Sequence, residues 1–132
     1  MEYLELHSSL FYEIKVFKNY KQLDSVSGVY IFLTDKPIPR LVGSSQILKI
    51  GQTSNLKKRM SAYFREENIE NLKDKKGRQT AYRVSKYLKT IENYRLFFIP
   101  IDETELKSKE KELLESYYAL HYESPPLNMG LS

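Results

Sequence analysis

Apolar residues fall in short, dense runs between turn-forming stretches, and the period of each run predicts its element. Gly28-Val29-Tyr30-Ile31-Phe32-Leu33 and Ile47-Leu48-Lys49-Ile50 are β-branched and aromatic runs bounded by turn residues. They predict two strands of a hairpin, Val29–Thr34 and Ile47–Ile50. Tyr94 to Ile101 is apolar almost throughout and predicts a buried third strand over Arg95–Ile101. Helical spacing rules elsewhere. A helix is expected from Leu56 to about Phe64 behind a Ser54-Asn55 cap, with Met60 facing the core and Arg59 and Tyr63 sharing one face. Val84, Leu88 and Ile91 repeat at i, i+4, i+7 and predict a helix over Thr80–Glu92. Leu106, Leu113, Tyr117 and Leu120 form the inner stripe of a long helix, capped by Asp102 or Thr104 and ending about Tyr122 before Pro125-Pro126. Leu10, Ile14 and Phe17 predict a further helix over one face of the sheet, although Glu13-Ile14-Lys15-Val16 alternates as a short strand would.

Between the first two strands, Asp35-Lys36-Pro37-Ile38-Pro39 carries turn residues and two prolines that bar a central strand, and Gly43-Ser44-Ser45 makes a second turn. Asp74-Lys75-Lys76-Gly77-Arg78 reads as an exposed loop. The expected fold class is α/β (α+β): a small, three-stranded, mostly antiparallel sheet flanked by helices. One domain over residues 1–132 suffices, with 1–27 as an N-terminal extension.

Composition narrows the function classes. Hydrophobic residues are 41% and charged residues 29%, an ordinary balance for a soluble domain. No apolar run approaches the roughly 20 residues of a membrane span, and the N-terminus lacks the layout of a signal peptide, so a cytoplasmic protein is expected. The absence of cysteine excludes disulfides, thiol catalysis and thiolate zinc sites. The formal charge of +4 is unevenly placed. Eleven lysines and arginines stand against four acids between Lys57 and Lys89, whereas seven acids stand against three lysines between Asp102 and Glu123. A basic middle suits a polyanion such as nucleic acid, and equally an exposed helical surface.

The candidate chemistry lies in an ordered set: Gly28-Val29-Tyr30, Lys49-Ile50-Gly51, Asn55-x3-Arg59, a glutamate on the last helix, and Pro125-Pro126-Leu127-Asn128. This set resembles the GIY-YIG nuclease family across about residues 28–128. The resemblance implies a metal-dependent endonuclease that hydrolyses phosphodiester bonds in DNA, with Mg²⁺ or Mn²⁺ as cofactor and RNA left open. It implies Tyr30 as the base that activates water and Arg59 as a cation on the phosphate, where a guanidinium engages two oxygens at once. It also implies a carboxylate on the last helix as metal ligand, Glu115 with Glu112 in reserve. Lys49 stands where the family's second tripeptide begins with tyrosine. It offers a positive charge to the phosphate or to the Tyr30 phenolate, since a phenol with a reference pKa near 10 needs help to act as a base.

Gly51 is expected to supply a conformation or a close backbone approach that a Cβ would hinder. Asn55 is expected to cap its helix, and Asn128 to tie the chain end back near the site. Lys57, Lys58, Lys75, Lys76, Arg78 and Arg83 are the expected backbone contacts to nucleic acid. Specificity would then come from a homodimer or a targeting partner. His121 reads as structural. Loss of the second tyrosine keeps a non-catalytic nucleic-acid-binding module open beside the enzyme.

Overall fold

Burying the apolar faces of these runs yields a four-stranded sheet rather than a three-stranded one. The computed structural model describes residues 10–15, 17–64, 79–91 and 93–128. Strands β1 (Tyr12–Ile14), β2 (Gly28–Pro39), β3 (Ser44–Thr53) and β4 (Tyr94–Pro100) pair antiparallel throughout, in the order β1-β4-β2-β3. Three helices lie among the described residues: α1 (Leu56–Phe64), α2 (Gln79–Leu88) and α3 (Leu106–His121). The architecture is α+β. No helix among the described residues is long and apolar enough to cross a membrane.

Alternation along the central strands sorts the core into two layers. Tyr30, Phe32, Leu96 and Phe98 face α1 and α2, where Leu56, Met60, Tyr63, Val84 and Leu88 close over them. Val29, Ile31, Leu33 and Ile99 face the other way, against Leu113 and Tyr117 of α3. β3 keeps both layers supplied through a bulge. Phe32 pairs with Lys49 but Leu33 pairs with Ile47, so Leu48 is the extra residue. Ile47 and Ile50 therefore both face α3, and Lys49 stays on the face that carries Tyr30.

The structure departs from expectation in three places. The N-terminal apolar residues form β1 over Tyr12–Ile14, paired with β4, and a short 3-10 turn at Tyr20–Gln22. The helical stripe lost because β4 offers a free edge that the alternating Glu13-Ile14 fits. β2 runs on through Pro37 and Pro39, but β4 pairs only as far as Thr34, so the prolines lie on the two-stranded arm of the hairpin. The hairpin turns at Gly43, whose φ of 72° is the left-handed conformation that a Cβ disfavours. On α3 the last buried residue is His121, not Leu120, which is 42% exposed. The His121 ring stacks on Tyr117 at 4.6 Å and its Nδ1 lies 2.8 Å from the Val42 carbonyl at the hairpin tip.

β3 is an edge strand, and several of its outward backbone groups are taken up by the chain end and α3, which matters for the site. Leu127 N–H donates to the Leu48 carbonyl at 2.9 Å. The Asn128 side chain spans Ile50, accepting from its N–H at 3.0 Å and donating to its carbonyl at 2.8 Å. Glu110 of α3 accepts from Gln52 N–H.

Candidate active site

Tyr30 lies opposite Gly51 across β2 and β3, and its ring fills the space where a Gly51 side chain would stand. A Cβ there would strike the phenol carbon and hydroxyl at well under contact distance. Gly51 thus makes room for a ring, and its φ is not positive. Gly51→Ala is expected to displace the phenol and cost about 1–3 kcal/mol by overpacking. Urea unfolding measures it, and a loss below about 0.5 kcal/mol would contradict this ring placement.

The Tyr30 hydroxyl meets the Tyr63 hydroxyl at 2.5 Å. Tyr63 lies one turn after Arg59 on α1, and the Arg59 guanidinium hydrogen-bonds the Tyr63 phenol. A chain therefore runs from Tyr30 through Tyr63 to Arg59. Lys49 and Glu110 complete the group: Lys49 interacts electrostatically with Glu110 and Arg59, and Glu110 interacts with both cations. Arg83 adds a further positive charge near Lys49 and donates to the Pro126 carbonyl at 2.8 Å. Tyr30 and Lys49 are 2% and 7% exposed, whereas Arg59 and Glu110 are half-exposed.

Burial sets the protonation states. It raises the Tyr30 phenol well above its ordinary range; Tyr63 adds to this and Arg59 opposes it. Burial also raises Tyr63, against Arg59. Burial lowers the Lys49 ammonium to about 8, helped by Arg59 and Arg83 and opposed by Glu110. Burial raises the Glu110 carboxyl, against Lys49, the Gln52 N–H and Arg59. The expectation that Lys49 would hold Tyr30 as a phenolate is corrected here: desolvation outweighs the nearby cations and keeps the phenol neutral.

Tyr30, Lys49 and Arg59 converge; the expected carboxylate does not. Glu115 is exposed and pairs with Lys111 at 3.9 Å, and Glu112 is exposed and pairs with Lys109 at 3.7 Å. Helix phase explains this. With Leu113 facing the core, Glu115 lies about 200° round the helix and Glu112 about 100°, whereas Glu110 lies only about 60° away. Glu110 occupies a stripe position between Leu106 and Leu113, and that was its signal in the sequence: an acid where the pattern expects an apolar residue. Tyr63 was legible as the residue one turn beyond Arg59.

The remaining residues are spread out. The Asn55 carboxamide accepts from Lys58 N–H at 3.0 Å, capping α1, and Lys57 and Lys58 lie exposed on its outer side. Lys75, Lys76 and Arg78 lie outside the described residues. Among the described residues no three His, Cys, Asp or Glu side chains gather round a metal position. Glu110 offers a lone carboxylate with one oxygen engaged by Gln52 N–H, and the Asn128 amide is committed to Ile50. That set suits a hydrated Mg²⁺, which needs only one or two carboxylates when waters and phosphate oxygens supply the rest. No family model, curated protein or solved structure matches the chain.

Proposed function

We propose that the chain is a GIY-YIG-like, metal-dependent endonuclease that hydrolyses phosphodiester bonds in DNA. The observation that supports it most is the gathering of Lys49, Arg59 and Glu110 around a buried phenol pair at the edge of β3. Two cations and one carboxylate in a mostly dehydrated corner suit a phosphate, and dehydration strengthens each interaction with charge that develops on its oxygens.

In this reading Arg59, at the open side, engages two phosphate oxygens. Lys49 holds the phosphate while protonated. Its deprotonated form is accessible near pH 8, so Lys49 rather than Tyr30 takes the proton from the attacking water. The two linked phenols act through Arg59, whose guanidinium the Tyr63 phenol holds in place at the open side. Glu110 would hold the divalent ion, which when bound supplies Lewis-acid stabilisation of the phosphoryl oxygens. DNA is the preferred substrate class, and a targeting partner or second copy would supply specificity.

Incubation of supercoiled plasmid with Mg²⁺ or Mn²⁺ tests this. Wild type nicks the plasmid, and Arg59→Ala loses about 100-fold or more, the usual cost of removing one transition-state donor. Nicking that survives in purified, folded Arg59→Ala would remove this centre from the reaction. The neutral phenols favour a second reading, a module that binds nucleic acid without cutting it. Salt-sensitive binding with no cleavage of plasmid, branched DNA or RNA would select that reading.

A further inference from the structure

Away from the phenols, α1 turns another side to an open depression of about 300 Å³. Lys21 and Ser25 of the N-terminal segment line one side, and Asn55, Lys57, Lys58 and Ser61 line the other. Lys57 and Lys58 stand one turn or less from Ser61, so one helical face carries all three. The 3-10 turn that bears Lys21 is fixed against this face: Leu56 N–H donates to the Val26 carbonyl at 2.8 Å and Lys57 N–H to the Asp24 carbonyl at 3.3 Å. Tyr20 of the same turn packs against the core and also lines the depression.

Among the described residues no acid lines the depression, and its three exposed lysines enter no ion pair. Such an arrangement is self-repelling until an anion enters it. The attraction does not come from the helix terminus, whose first N–H groups are bonded to Val26, Asp24 and Asn55. It comes from ammonium, amide and hydroxyl groups converging from two separate segments. The convergent ammonium, amide and hydroxyl groups match a phosphate of the nucleic-acid backbone.

We propose that this depression binds a backbone phosphate of the DNA strand that flanks the cleavage position, with Lys21, Lys57 and Lys58 as its cations. The word flanking rests on the nuclease reading; the binding does not. Lys58 adjoins Arg59 but points about 100° away round α1, so the phosphate held here lies round the helix from the one on Arg59. The N-terminal segment thus contributes to substrate binding as well as to the core.

Fluorescence anisotropy of a labelled duplex, titrated between about 50 and 200 mM salt, tests the site. Lys21→Gln, Lys57→Gln and Lys58→Gln are each expected to lower the slope of log K against log salt by about one, the loss of one phosphate contact. Lys107→Gln, an exposed lysine on α3, leaves the slope unchanged. Unaltered slopes for Lys21→Gln and Lys58→Gln overturn the subsite, even if the wild type cleaves. Lowered slopes in a protein that never cleaves support the subsite and overturn the nuclease. Wild-type binding that ignores salt overturns the subsite, and so does displacement of the duplex by polyglutamate as readily as by unlabelled DNA.

Discussion

Glu110→Gln is expected to lower metal-dependent nicking at least about 100-fold, while Glu115→Gln stays within about twofold of wild type. Glutamine keeps the size of the side chain and an oxygen for the Gln52 N–H, so β3 and α3 stay joined while the charge is lost. Among the described residues Glu110 is the carboxylate at the centre, so its loss is expected to reach the magnitude of removing a transition-state stabiliser. Glu115 faces solvent and pairs with Lys111, an exposed i, i+4 pair worth about a few tenths of a kcal/mol. Plasmid nicking across a Mg²⁺ titration, with thermal melts to show that both variants fold, separates the two. If Glu115→Gln is the dead variant, the phase of α3 assigned here is wrong.

The same contrast shows how far the sequence carried. Strand positions were legible where one face of a run is buried, as with Val29, Ile31 and Leu33, since alternation leaves one register that hides them. The convergence of Tyr30, Lys49 and Arg59 was legible because paired strands and the helix that follows them fix three positions with little freedom. Two features escaped for physical reasons. β1 is three residues long, and its strand character comes from pairing with β4 rather than from its own pattern, which reads more strongly as helix. The carboxylate escaped because the resemblance pointed to Glu115, whereas the phase set by Leu106, Leu113 and Tyr117, all buried as the spacing predicts, turns Glu115 outward and Glu110 toward the sheet. Burial that outweighs charge at Tyr30 was invisible, since desolvation is a property of the assembled layers.

Lys49→Met is expected to make the protein more stable and the enzyme inactive. The folded protein holds this ammonium, 7% exposed, at about 8 rather than near the ordinary 10.5, chiefly through burial. A folded-state pKa below the unfolded one means that the unfolded chain binds the proton more tightly. Below pH 8 the native state therefore carries the full cost of the buried charge, on the order of 3 kcal/mol. Between about pH 8 and 10.5 the folded lysine is neutral while the unfolded one is still charged, and wild-type stability rises through that window. Methionine fills a similar volume without the charge, and Glu110 keeps Arg59 and the Gln52 N–H as partners. Urea unfolding at pH 7 should thus show a gain of about 1–3 kcal/mol for Lys49→Met, shrinking steadily as the pH is raised toward 10.5. A loss of stability at pH 7, or a gain that holds constant with pH, would mean that the ammonium is not the strained group. Nicking by this variant should fall at least about 100-fold at every pH, because both the phosphate cation and the proton acceptor are gone. Stability gained at the residue whose removal ends the reaction marks Lys49 as a charge held in place for chemistry rather than for folding.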